Sequence, residues 1–130
     1  MTYKVPSTYV AVRRLLENLK DSLFSKFEYV HQARLELCLA EVLNNIVEHA
    51  YKEDTEQFFT VNIDSSENDI RIEINDTGVP NVVLEEQQIN DFPVDLPEGG
   101  FGLPLVQAIA TKIDFIRKDN VNVTTIWYTL

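Results

Sequence analysis

Glu41 and Asn45 place a carboxylate and a carboxamide four residues apart in Glu41-Val-Leu-Asn-Asn-Ile-Val-Glu-His-Ala50. At about 100° of turn per residue, Leu39, Val42, Leu43, Ile46, Val47 and Ala50 share one face of a helix, and Glu41, Asn44, Asn45, Glu48 and His49 gather on the other. A solvated polar face is the ordinary explanation, but such faces are written with Lys, Arg, Gln and Glu, and adjacent Asn residues are weak helix formers. Two oxygen-bearing groups one turn apart suit a hard cation and a base that activates a nucleophile. Two further stretches could do chemistry. In Asp76-Thr-Gly78-Val-Pro80 a carboxylate ends an alternating run and Gly follows in a turn, which an Asx turn also explains. Glu98-Gly-Gly-Phe-Gly-Leu-Pro-Leu-Val106 presents bare backbone N–H groups just before a helix, a way to meet an anion, although loop flexibility also calls for Gly.

The surrounding pattern must position these residues. Thr2–Val5 reads as an edge strand closed by Pro6, and Ser7 as the N-cap of a helix carrying Val12, Leu15, Leu16 and Leu19 to near Ser25. A second helix runs from about Val30 to Tyr51 and carries Glu41 and Asn45, with His31 expected at its surface. Residues 58–64 and 70–75 alternate and predict an antiparallel hairpin with one buried face. Residues 81–98 break every periodicity, hold five acids and no Lys or Arg, and predict a lid. A helix from Leu103 to about Lys112 follows, with Pro104 in its first turn. Strands over 114–118 and 121–130 close the chain, with Trp127 expected in the core or on a sheet face.

Length and composition fit one soluble globular domain spanning 1–130: 45% hydrophobic and 25% charged residues are ordinary for such a chain. Eleven basic against twenty-one acidic residues give a net charge of −10, which argues against direct nucleic-acid binding and against an anionic membrane surface. The single Cys38 lies among leucines and reads as a buried thiol. No signal pattern and no membrane span is legible, so a cytoplasmic location is expected.

The order of the three stretches narrows the chemistry, since neither a Walker-type loop nor a eukaryotic kinase loop is present. The sequence resembles the GHKL (Bergerat-fold) ATPases, and among them the bacterial anti-sigma-factor serine/threonine kinases of partner-switching systems. Residues 41–51 resemble their N box, Asp76-Thr-Gly78-Val-Pro80 their first glycine box, with Val79-Pro80 in place of a second glycine, and Glu98-Gly-Gly-Phe-Gly-Leu103 the second. The resemblance implies a two-layer α/β sandwich whose mixed, mainly antiparallel sheet is covered on one face by helices. It implies ATP and Mg²⁺ as cofactors, with Asn45 on the metal and Glu41 as general base. Asp76 would accept from the adenine amino group beside Gly78. Gly99, Gly100, Gly102 and Leu103 would meet the phosphates, and Thr125 would lie near adenine. It further implies homodimers, a STAS-domain antagonist as phosphoacceptor, and a sigma factor or another regulatory target as the sequestered partner.

Two other functions fit part of this pattern. An ATP-binding partner-switch module without kinase activity needs no base, which the presence of Glu41 with Asn45 disfavours. The catalytic domain of a sensor histidine kinase needs a phosphoacceptor histidine, and neither His31 nor His49 has a suitable setting, His49 reading as structural.

Overall fold

The computed structural model describes residues 1–80 and 102–130. The lid expected over about 81–98, with Gly99 and Gly100 after it, lies outside the described residues. Strand β1 (Thr2–Pro6) leads into α1 (Tyr9–Ser22), a 3₁₀ turn (Phe24–Lys26) and α2 (Tyr29–Asn45), which continues as a π-helical turn (Ile46–Ala50). Strands β2 (Phe58–Ser65) and β3 (Asp69–Asp76) follow; then come α3 (Gly102–Ile109), β4 (Lys112–Lys118) and β5 (Val121–Thr129).

The five strands form one sheet in the order β1-β2-β3-β5-β4. All four pairings are antiparallel, so the described strands contain no parallel pair where a mixed sheet was expected. Strand alternation gives the sheet two unlike faces. Val5, Phe59, Val61, Ile63, Ile70, Ile72, Ile74, Ile126 and Tyr128 point to the helices and are buried. Lys4, Arg71, Glu73, Trp127 and Lys112 belong to the other face, where Lys112 Nζ lies 4.7 Å from the Trp127 ring centre. The Trp127 ring is therefore a sheet-face residue under a cation rather than a core residue.

The helices cover the inner face with α2 in the middle, packed against α1 on one flank and α3 on the other. Leu19, Leu35, Leu39 and Leu43 are fully buried between the layers, and each such side chain contributes about 1.5–3 kcal/mol. Cys38 is buried with them, and burial pushes its thiol up to about 11, so it stays protonated.

Several boundaries differ from the sequence reading for local reasons. Thr8, not Ser7, caps α1: its Oγ1 accepts from Ala11 N at 3.0 Å, whereas the Ser7 side chain is buried without a hydrogen-bond partner among the described residues. Helix α3 stops at Ile109, because Thr111 N donates to Trp127 O at 2.8 Å and draws the chain into the sheet. His31 is half-buried instead of exposed, with Nδ1 2.6 Å from the hydroxyl of Tyr128.

Candidate functional site

Helix α2 sorts its polar residues by flank. Asn44 lines a cavity of about 450 Å³ against α1, together with Tyr9, Arg13 and Glu36. Asn45 follows 100° further round and Glu41 lies one turn before it, so the wheel turns both toward the α3 flank. Both are half-buried, and Val42, Leu43 and Ile46 beside them are in the core. The adjacent asparagines thus serve different surfaces. The α-helix ends at Asn45, and the widened π turn follows at once, with Tyr51 N donating to Ile46 O at 3.0 Å.

That π turn meets the end of β3. Val79 N donates to Ala50 O at 2.8 Å, and a Cβ on Gly78 would overlap the carbonyl group of Ala50. Gly is thus needed at 78 for the backbone of the strand-end turn to lie against the end of the N-box helix. Tyr51 makes the same junction from its side chain: its hydroxyl donates to Phe58 O at 2.7 Å and accepts from Thr77 N at 2.8 Å.

Asp76, 3% exposed, stands on the inner face at the end of β3. Its Oδ1 accepts from Gly78 N at 2.9 Å and from Asn122 Nδ2 at 2.8 Å, and no described residue donates to Oδ2. Burial pushes its carboxyl above the usual range, while the Asn122 and Gly78 donors and the Arg117 guanidinium pull it back. Asn122 and Arg117 went unnoticed in the sequence. The signal was the Asp119-Asn120 turn, both residues at positive φ, which makes Arg117 and Asn122 cross-strand partners in line with Asp76.

The register decides between two threonines. Thr124 pairs with Ile74 and Phe115 on the inner, Asp76-bearing face; Thr125 pairs with Glu73 and Asp114 on the other. The structure therefore brings Asp76, Gly78 and the α2 end together, with Thr124 on their face, and places Thr125 away from them. Gly102 opens α3, Leu103 follows, and buried Pro104 is its third residue. Among the described residues no cluster of three His, Cys, Asp or Glu could hold a metal alone. His31 is engaged with Tyr128, and exposed His49 lies 3.8 Å from Glu48.

The model of the family described as "Histidine kinase-like ATPase domain" matches residues 5–128. The chain belongs to this family. As a histidine kinase-like ATPase domain it is similar to the serine-protein kinase RsbW of Bacillus mycoides (strain KBAB4), with 27% identity over 129 residues, 92% of this chain and 79% of that one. The RsbW of Bacillus thuringiensis (strain Al Hakam) is 30% identical over the same shares. Among solved structures, the histidine kinase domain of the Erythrobacter litoralis EL346 blue-light activated histidine kinase superposes with a TM-score of 0.52 at 20% identity. That superposition covers 76% of this ATPase domain but 44% of the solved chain, and it speaks for the fold. The α+β sandwich implied by the glycine and N-box stretches is thus the observed one. No helix among the described residues is long and apolar enough to cross a membrane.

Proposed function

We propose that the chain is an ATP-dependent protein serine/threonine kinase that phosphorylates a STAS-domain antagonist and otherwise sequesters a sigma factor or another regulatory target. The observation that carries this reading is that Glu41 and Asn45, one turn apart on α2, are both half-buried beside core residues. The similarity to proteins named serine-protein kinase supports the choice of reaction.

The residues fit a nucleotide with its metal. Asp76 offers a buried acceptor whose Oδ2 takes no donor from the described residues. Asn45 offers one hard oxygen where the described residues hold no multi-carboxylate cage, which suits an ion that takes its other ligands from phosphates and water. When bound, Mg²⁺ would neutralise phosphate charge during transfer. Glu41 would accept the proton of the attacking Ser or Thr hydroxyl. Asp76 would accept from the adenine amino group, with Thr124, on the same sheet face, beside it in place of Thr125. The start of α3 at Gly102 and Leu103, with Gly99 and Gly100 before it, would offer N–H groups to the phosphates, aided by the helix dipole. A homodimer acting in the cytoplasm belongs to the same proposal.

Transfer tests it: wild type with Mg-ATP should phosphorylate a STAS protein of the same genome on Ser or Thr, and Asn45→Ala should lose Mg-dependent ATP binding by calorimetry. Binding of ATP without transfer to any STAS protein would mark a nucleotide-gated binding module instead. Full Mg-dependent binding by the variant would remove Asn45 from the site.

A further inference from the structure

Asp76, Asn122 and Arg117 lie in one cross-strand row over β3, β5 and β4. Arg117 Nη1 donates to Asn122 Oδ1 at 2.7 Å and to Gly78 O at 3.0 Å. A guanidinium has no acceptor, so it fixes the orientation of the Asn122 amide: oxygen toward Arg117, nitrogen toward Asp76. Asn122 Nδ2 then donates to Asp76 Oδ1 and to Val79 O at 3.0 Å, both groups that can only accept there. The polarity of the row runs one way, from Arg117 through Asn122 to Asp76. With Gly78 N also on Oδ1, two donors converge on one carboxylate oxygen, which favours the ionised form.

We propose that Arg117 and Asn122 are positioning residues that hold Asp76 as a hydrogen-bond acceptor and so make the site select a 6-aminopurine over a 6-oxopurine. The proposal rests on the nucleotide reading above. An ionised Asp76 meets the amino group of adenine through Oδ2 and repels the carbonyl oxygen of guanine. A protonated carboxyl would donate from Oδ2 and accept guanine. Burial pushes toward that second form, and the row opposes it. Arg117 is the charged group whose field acts on Asp76 among the described residues; the α2 end presents Ala50 and Tyr51 to the same turn.

The test uses the full chain with Mg-ADP and Mg-GDP, binding of each being followed by calorimetry from acid to neutral pH. Asn122→Leu should weaken ADP binding at neutral pH about tenfold, the loss expected when a charged acceptor forfeits a donor, and Arg117→Met should weaken it in the same direction by removing the guanidinium charge and freeing the Asn122 amide to turn. They should narrow the preference for ADP over GDP by a similar factor and move the acid limb of ADP binding to higher pH. Arg117→Lys, which keeps a donor, should restore most of the preference. Equal weakening of ADP and GDP with an unmoved acid limb would reduce the row to a brace for the turn and overturn the proposal. If wild type binds neither nucleotide, the nucleotide reading falls and this proposal with it. If wild type prefers ADP and the variants keep that preference, this proposal alone falls. Should Asn122→Leu fail to fold, the Arg117→Met and Arg117→Lys pair at a half-buried position decides.

Discussion

Asp76 carries a carboxylate into a site that is 3% exposed, and burial raises its pKa above the range it has in an unfolded chain. A group shifted this way contributes stability below its unfolded pKa and loses that contribution as the pH rises through the folded value. At neutral pH the ligand-free fold therefore bears the cost of an ionised Asp76. Asp76→Asn keeps an oxygen for the Gly78 and Asn122 donors and should raise stability to urea at neutral pH, because it removes the cost of an ionised buried carboxylate. The gain should vanish near pH 4, about where an unperturbed Asp titrates, and nucleotide binding should be lost. Urea unfolding of both proteins at the two pH values checks this, and a variant less stable at neutral pH would contradict it. The candidate residues Glu41, Asn45, Asp76 and Gly78 stood out in the sequence because they fall in short ordered stretches. Thr124 and Thr125 were not separable, because both parities of β5 carry apolar residues: Val121, Val123 and Trp127 on one, Ile126 and Tyr128 on the other.

The junction between the π turn and the end of β3 depends on a backbone approach that admits no side chain at 78. Gly78→Ala must push the turn away from Ala50, and overpacking of this kind costs about 1–3 kcal/mol. Chemical denaturation should show that loss, and nucleotide binding should weaken with it because Asp76 sits two residues earlier. Tyr51→Phe keeps the ring but strands Phe58 O and Thr77 N, and should cost about 1–3 kcal/mol in the same measurement. An unchanged midpoint in both variants would show that the junction does not hold the site together. Element types were readable from periodicity, and the register of the 119–120 turn follows from its Asp-Asn pair. The ends were less so. Ser7 and Thr8 are equally good caps by type, and only the fold decides which hydroxyl meets Ala11 N. The switch from α to π geometry after Asn45 has no composition signal, since it answers the need to bring Ala50 O to Val79 N.

One apolar layer joins every described element: residues of β1, α1, α2, α3 and the sheet belong to a single buried cluster. Unfolding should therefore be one cooperative transition, with backbone ellipticity and Trp127 fluorescence changing together. Separate midpoints would show that the helices and sheet are less coupled than their packing indicates. The charge of −10 argues against binding a nucleic acid, whose phosphates need facing cations, and is compatible with the protein partner of the kinase reading. That reading turns on whether Glu41 takes a proton from a protein hydroxyl. Wild type and Glu41→Ala, each incubated with Mg-ATP and a STAS protein of the same genome, can be compared by the intact mass of the STAS protein. Wild type should add one phosphate on a Ser or Thr, and Glu41→Ala should bind ATP yet add none. Transfer by both forms would contradict the role of Glu41, and transfer by neither, with ATP bound, would contradict the kinase itself.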